Sequence, residues 1–175
     1  MARAFISIGS NIDPETNVRN AILRLAEAAR VKAISTVYRT VPIGPPGQPP
    51  FYNCVVEIET DLPPRDLKFR LLRGLESEMG RTRGTDKFAA RTIDLDLILY
   101  DELVTTAEDL TLPDPDILRR PFLAVALHGL APGLVLPGSG VRISEAAPAQ
   151  PRKDMTPLEN YTERIRKEIL HERKQ

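Results

Sequence analysis

Asp94 and Asp96 stand two residues apart in the run Arg91-Thr92-Ile93-Asp94-Leu95-Asp96-Leu97-Ile98-Leu99-Tyr100. The run is apolar and rich in strand formers. Read as a strand, it places both carboxylates on one face and Ile93, Leu95, Leu97 and Leu99 on the other. Two carboxylates on a rigid face beside Arg91 form a hard oxygen site, of the kind that holds Mg²⁺ carrying a polyphosphate. Asp-x-Asp is a weak pattern alone, and two solvated acids on an open sheet face are the plainer alternative. Like charges this close repel, so the pair calls for water or a cation nearby.

The segment before the pair weighs on that choice. Residues 81–91 read Arg-Thr-Arg-Gly-Thr-Asp-Lys-Phe-Ala-Ala-Arg, with Arg81, Arg83, Lys87 and Arg91 leading into Asp94. A solvated charge run is the ordinary reading of such a loop. Here, cations for phosphate oxygens and carboxylates for magnesium fall on contiguous chain. That pairing is what phosphoryl transfer requires, because its catalysis is mostly positioning and charge neutralisation. Neither G-x-x-x-x-G-K-[ST] nor G-x-G-x-x-G occurs. Any ATP is therefore handled without a P-loop or a protein-kinase loop.

A second group lies in residues 51–60. Tyr52, Cys54, Val56 and Ile58 share one face of the expected strand, and Phe51, Asn53, Val55 and Glu57 share the other. Phe51 offers a ring to stack on and Asn53 an amide that can read a heterocycle's edge. Phe51 as core and Asn53 as a strand-edge polar group is an equal alternative. Cys54 reads as a small buried hydrophobe. The segment before it, residues 40–50, holds five prolines and two glycines, which excludes helix and central strand. A loop of this length between two strands of one domain is often functional.

The elements that position these groups follow from pattern. Ala4 to Ile8 is a strand ended by Gly9-Ser10-Asn11. Asp13 as N-cap and Pro14 at the first position open a helix with the stripe Val18, Ile22, Leu25 and Ala29. Val31 to Tyr38 is a second strand. Pro63-Pro64 opens a helix that carries Leu67, Leu71, Leu72, Leu75 and Met79 inward and ends at Gly80. Arg73 and Glu76 on it have the spacing of a surface pair. Leu110 to Pro113 is extended, Asp114-Pro115-Asp116 is a turn, and Arg119 to Leu130 is helical. Thr156-Pro157-Leu158-Glu159 reads as a capping box for a last helix with the stripe Leu158, Tyr161, Ile165 and Ile169.

Bulk properties narrow the class. The chain has 175 residues, enough for one domain with a real core. Lys+Arg and Asp+Glu each total 24, which argues against a general nucleic-acid or membrane-surface binder. One cysteine excludes an internal disulfide and fits a reducing compartment. The N-terminus does not read as a signal peptide and no stretch reaches transmembrane length, so a soluble, cytoplasmic protein is expected.

Taken together, these segments resemble the 6-hydroxymethyl-7,8-dihydropterin pyrophosphokinases of folate biosynthesis. The likeness runs through Ile6-Ser-Ile-Gly-Ser-Asn11, Tyr38-Arg-Thr, Gln48-Pro with Phe51 and Asn53, Gly80-Arg81-x-Arg83, and Arg91-Thr-Ile-Asp-Leu-Asp96. The resemblance implies an α/β fold with a ferredoxin-like βαββαβ core, helices on both faces in three layers, and an extra C-terminal helix. It implies a pyrophosphokinase domain over 1–147, with a linker and helix extension over 148–175. Such enzymes move pyrophosphate from ATP to the pterin's hydroxymethyl group and release AMP. Asp94 and Asp96 are then the pair holding two Mg²⁺ ions, and Arg81, Arg83 and Arg91 face ATP. Glu76, Leu97, Thr111 and Arg120 are further nucleotide-side positions. The pterin is expected between Phe51 and Phe122, with Asn53 and the backbone near Thr40, Val41 and Ile43 reading its edge. The implied partners are these small molecules, with no nucleic acid or membrane, and with monomer or homodimer left open.

The chain departs from the family pattern in places. Pro113-Asp114-Pro115 stands where the family has Pro-His-Pro, with a histidine toward ATP. An aspartate facing triphosphate is repelled, by about 4 kcal/mol at about 4 Å and an effective dielectric near 20. Phe88 and Gly84 replace a tryptophan and a lysine sometimes found in the arginine loop. Two rival readings are a non-catalytic ferredoxin-like binding module for RNA or a regulatory ligand, and another Asp-x-Asp metal enzyme such as a sugar-nucleotide transferase. The first leaves the acids beside the arginines unexplained; the second leaves Phe51, Asn53 and the proline loop unexplained.

Overall fold

Strand β1 (Ala2–Ser10) is the middle of the molecule, because its two faces are both apolar enough to be buried. The computed structural model describes residues 1–148 and 152–171. Among these, β1 pairs antiparallel with β4 (Phe51–Thr60) on one side and β5 (Asp94–Tyr100) on the other. β2 (Arg30–Ile34) and β3 (Tyr38–Thr40) both pair with β4, and β8 (Met155–Pro157) pairs with β3. The resulting six-stranded sheet runs β5-β1-β4-β3-β8, with β2 also on β4. Helix α1 (Pro14–Ala28) connects β1 to β2, and α2 (residues 64–78) connects β4 to β5. That is the ferredoxin-like βαββαβ arrangement.

Two cores make three layers. Ala4, Ile6, Ile8, Cys54, Val56 and Ile58 face α1, α2 and the C-terminal helix α6 (residues 159–171). Phe5, Val55, Ile98 and Leu99 face the opposite layer, which holds α3 (Asp116–Arg119), α4 (Pro121–Leu130) and α5 (Ile143–Ala146). The alternation expected for residues 51–60 therefore holds. In β5, Ile93, Leu95 and Leu97 share the α1–α2 core as expected, but Leu99 does not. The register with β1 slips between Phe5 and Ile6, so Ile98 is inserted and Leu99 turns to the other face.

Other local expectations change. The extended run expected over 31–38 breaks at Ser35, whose backbone N–H and hydroxyl both bond Val55, leaving β2 and β3 as separate strands. Asp13 precedes α1 but adopts the left-handed region, φ 39°, and its side chain makes no cap bond. In α2, residues Leu67–Leu72 are π-helical, and Leu67 and Leu72, five apart, are both buried. The helical reading of 119–130 divides at Arg120, which is extended before Pro121. Residues 105–112 form a hairpin of β6 (Thr105–Ala107) and β7 (Leu110–Leu112).

The capping box over 156–159 is not formed. Thr156 and Pro157 belong to β8, the helix starts at Glu159, and no side chain caps it. The open edge of β3 takes the segment into the sheet, and tertiary pairing overrides the local signal. Tyr161, Ile165 and Ile169 are buried in the α1–α2 core, so α6 packs on the same sheet. Of the expected linker, residues 149–151 lie outside the described residues, as do 172–175 of the C-terminal segment. Among the described residues no helix is long and apolar enough to cross a membrane.

Candidate active site

The sheet register builds the site. Asp94 on β5 is directly opposite Gly9 on β1, and Gly9 is opposite Asn53 on β4. One row of the sheet thus carries Asp94 and Asn53 on the same face, two strand spacings or roughly 10 Å apart. The position between them must be glycine. A Cβ on Gly9 would lie 2.5 Å from Asn53 Oδ1. Asp96, opposite Ser7, continues the acidic side on the same face. This face opens into a cleft of about 560 Å³, in the size range of small-molecule sites.

At the β5 end the charges are already matched. Arg81 donates through Nη1 to Glu76 Oε1 and to Asp94 Oδ1, both at 2.6 Å. Arg91 Nη1 donates to Asp94 Oδ2 at 2.6 Å, and Arg83 Nη2 to Glu76 Oε2 at 2.5 Å. Burial opposes the charge on Arg81, but Asp94 and Glu76 outweigh it and its pKa is raised. Glu76 is the hub: 2 % exposed, it also accepts the Leu95 backbone N–H at 2.8 Å. The surface pair expected for Arg73 and Glu76 is therefore absent. Arg73 instead lies over the Phe69 ring, 4.4 Å from its centroid. The signal was in the spacing, because Leu72, Leu75, Glu76 and Met79 fall at i, i+3, i+4 and i+7 and share the inward stripe.

Asp96 is different. Among the described residues no hydrogen bond or ion pair engages its carboxylate. Its residue is exposed to the open cleft, but the protein packed around it thins its hydration, and it faces the fields of Asp94, Glu76 and Asp114. This partial desolvation first, and these carboxylates second, push its pKa up to about 7 against the pull of Arg81. An unmatched carboxylate beside Asp94 fits a hard divalent cation. Among the described residues, no cluster of three or more His, Cys, Asp or Glu side chains could hold a metal by itself. The remaining oxygens must come from water and a bound polyphosphate, as is usual for Mg²⁺.

The other end of the cleft is lined mainly by neutral and aromatic groups. Phe51, Phe122, Thr40 and Asn53 line it, with Val41 and Ile43 at its rim. Asn53 Nδ2 donates to Thr40 Oγ1 at 2.7 Å, leaving Oδ1 of the amide toward Gly9. Val41 and Ile43 are 65 % and 70 % exposed, apolar side chains waiting for a cover. The arginine loop and the proline loop touch here. A Cβ on Gly44, at φ +125°, would lie 2.7 Å from Phe88 Cδ1. Gln48 Nε2 also donates to the Phe88 carbonyl.

The cleft gathers Arg81, Arg83, Arg91, Asp94, Asp96 and Arg120 with the aromatic group. Glu76 stands behind it, holding the arginines. Leu97 points into the α1–α2 core at 4 % exposure, away from the cleft. Thr111 is exposed on the β6–β7 hairpin, between the buried Leu110 and Leu112, outside the lining. Asp114 does line the cleft, and its Oδ1 accepts the Asp116 N–H at 2.8 Å. Burial holds its pKa above the usual carboxylate value. Asn11 has a role that its place in a motif does not reveal. Its Oδ1 accepts the Arg91 N–H at 2.7 Å, its N–H bonds the Arg91 carbonyl at 3.1 Å, and Nδ2 reaches the Pro49 carbonyl at 3.4 Å. It ties both loops to the end of β1. Cys54 is buried and its thiol is pushed up to about 12, so it is no nucleophile.

Comparison with known proteins supplies the family. Residues 5–132 match the family model for 7,8-dihydro-6-hydroxymethylpterin-pyrophosphokinase. The 2-amino-4-hydroxy-6-hydroxymethyldihydropteridine pyrophosphokinase of Haemophilus influenzae is 36% identical over 144 residues, covering 81% of this chain and 89% of that protein. The protein of the same name from Synechocystis is 39% identical over 143 residues, covering 80% and 72%. Among solved structures, the Plasmodium falciparum HPPK-DHPS wild type has a TM-score of 0.64 at 12% identity, which speaks for the fold alone. The match covers 95% of this chain and 45% of that fused one, so the chain spans less than half of it. The chain belongs to the 7,8-dihydro-6-hydroxymethylpterin-pyrophosphokinase family.

Proposed function

We propose that this chain transfers pyrophosphate from Mg²⁺-ATP to 6-hydroxymethyl-7,8-dihydropterin, with the triphosphate over Asp94 and Asp96 and the pterin between Phe51 and Phe122. The observation that carries this placement is the row Asp94–Gly9–Asn53. It sets a cation-ready acidic face and a heterocycle-reading amide roughly 10 Å apart, about the reach from a pterin ring to a bound β-phosphorus.

In the reaction the hydroxymethyl oxygen attacks the β-phosphorus of ATP. The bond from that phosphorus to the α,β-bridging oxygen breaks, AMP leaves, and the hydroxyl proton is lost to solvent. Two Mg²⁺ ions, when bound by Asp94 and Asp96, supply neutralisation of the phosphate oxygens. The protein's part is positional. Arg91, paired with Asp94, would turn to phosphate oxygens where that carboxylate holds a cation, while Glu76 behind the cleft keeps Arg81 and Arg83 aimed at the phosphates. Arg120 extends the basic wall on the nucleotide side. Asn53 and the backbone near Thr40, Val41 and Ile43 orient the pterin, and the two aromatic rings fix its plane. Phe88, Val41 and Ile43 cover the substrates and keep water from the phosphorus. A soluble, cytoplasmic enzyme using only these small molecules is in keeping with the site.

³¹P NMR of the protein with Mg²⁺, ATP and the pterin tests the reading. AMP and a pterin diphosphate should appear together. ADP in their place would mean single-phosphoryl transfer, and no turnover by folded protein would remove the proposal.

A further inference from the structure

β8 lies beyond the residues that the family model matches, 5–132, yet its residues Asp154 and Met155 line the cleft. Their place follows from register. Phe51 on β4 is opposite Thr40 on β3, and Thr40 is opposite Met155 on β8. Directly opposed residues of antiparallel strands project from the same face. Phe51, Thr40 and Met155 therefore form one row across three strands, and Met155 ends it.

We infer that Met155 is a specificity residue for the heterocycle, forming the end wall of the aromatic half of the cleft, and that α6 positions this wall. The inference rests on the proposal that a pterin occupies that half. A methionine side chain is apolar and adaptable, and its sulfur makes favourable contacts with the edge of an aromatic ring. As an end wall it favours a planar, uncharged ring and excludes water from beside it. The neighbouring Asp154 carboxylate is taken up by Arg152, so a charged substituent at the Met155 edge would lose its hydration for little in return.

The wall needs support, because β3 is only the three residues Tyr38–Thr40 and frays easily as an edge. β8 and α6 supply it. The Val41 N–H donates to the Asp154 carbonyl at 3.2 Å, and the Leu158 N–H to the Val37 carbonyl at 2.8 Å. The Val37 N–H donates to Thr162 Oγ1 at 2.9 Å, and Arg166 Nε to the Ile34 carbonyl at 2.8 Å. Tyr161 packs edge-on to Tyr52 with ring centroids 5.6 Å apart. The segment leading into β3 is thereby held from its outer side. β3 in turn carries the Thr40 hydroxyl that accepts from Asn53.

The test uses the full chain and calorimetric titration of 6-hydroxymethylpterin in the presence of Mg²⁺ and an ATP analogue with a methylene bridge between its α and β phosphorus atoms. Binding of Mg²⁺ and the analogue alone is measured beside it. Met155→Asp should weaken the pterin about tenfold, the scale of one lost apolar side-chain contact. It should leave analogue affinity within about twofold, because the nucleotide end is distant. Met155→Leu should restore pterin affinity to within about threefold, as an apolar replacement of similar size does. Thr162→Val, which removes the acceptor for Val37, should shift pterin affinity the same way by less. Met155 sits at a partly exposed strand edge, so its variants should fold as the parent does. If the parent binds the pterin and Met155→Asp binds it equally well, the inference is wrong while the pterin reading stands. If the parent binds no pterin, both fall.

Discussion

The two ends of the cleft solve recognition in opposite ways. At the β5 end, carboxylates and guanidiniums are already paired with one another: Glu76 with Arg81 and Arg83, Asp94 with Arg81 and Arg91. At the β3 end, one neutral hydrogen bond between Asn53 and Thr40 sits among aromatic rings. Binding at the first end is an exchange of partners in which no charge may be stranded. Binding at the second is insertion into a shape that exists beforehand. The charged end should therefore be the sensitive one to salt and to loss of a single group, and the neutral end the sensitive one to size and planarity.

Removing the acids breaks this contrast most sharply. Asp96→Ala and Asp94→Ala should each lower turnover about a thousandfold, the scale of several kcal/mol of lost charge stabilisation. Pterin affinity, measured with the pterin alone, should stay within about threefold. Rates and titrations on the same preparations check both parts, and near-normal turnover in either variant would remove the acidic face from the mechanism.

Glu76 comes next, and its effect should be on stability as well as rate. It is buried and accepts from two guanidinium groups and a backbone N–H. Glu76→Gln keeps the shape but removes the negative charge opposing Arg81, which is itself only 11% exposed. A buried cation that has lost a partner destabilises by about 3 kcal/mol. Asp94 still holds Arg81, so the loss should fall somewhat below that figure. Urea unfolding should show the drop in midpoint. An unchanged midpoint would mean that Glu76 carries no structural charge pairing.

How much of this was open to a reading of the chain depends on whether the signal was local. The alternation of residues 51–58 and the pair at 94 and 96 follow from strand periodicity alone, and both faces are as expected. Glu76 was legible too, since it completes the stripe of Leu72, Leu75 and Met79. The Arg73 spacing, however, offers a competing surface pair of ordinary type. Leu99 was not legible, because the slip that turns it lies in the pairing of two strands distant in sequence. Thr156-Pro157-Leu158-Glu159 carries a sound local signal for a helix start that the open edge of β3 overrides. The cost of leaving a short strand edge unpaired exceeds that of moving a helix start by two residues. The role of Met155 is hidden for the same reason: its side of the sheet is set by Thr40, far away along the chain.

Asp114 sharpens the comparison by reversing its sign. It is a carboxylate in the cleft wall near the proposed triphosphate position, partly buried, and its Oδ1 accepts the Asp116 N–H. Asp114→Asn keeps an acceptor for that N–H and removes the repulsion. ATP-analogue affinity should rise about fivefold, a screened remnant of the interaction expected at close range. Asp114→His removes the cap as well as the charge and should gain less. Calorimetry at two salt concentrations should show the gain shrinking as salt rises, and equal or weaker affinity for Asp114→Asn would mean that the carboxylate does not act on the nucleotide.

The smallest effect expected is in pH, and its sign follows from Asp96. Partial desolvation and its acidic neighbours raise this cleft-facing carboxyl to about 7 in the metal-free protein, from 3.8 when unfolded. Between those values the folded state binds the extra proton, so this group's contribution to stability falls as pH rises toward 7. A divalent cation needs the deprotonated form and must displace that proton. Its affinity for the nucleotide-free protein should therefore rise about threefold between about pH 6.5 and 7.5 and level off above. Asp96→Asn should flatten this rise. The proposed pterin end is read by the neutral Asn53 and Thr40 pair, so pterin affinity should not follow the same curve. Mn²⁺ titration followed by electron paramagnetic resonance reads the first arm, and pterin calorimetry at the same pH values reads the second. A cation affinity that is flat across this range would place the titrating proton elsewhere than Asp96, and a pterin affinity that tracks the cation curve would erase the distinction between the two ends.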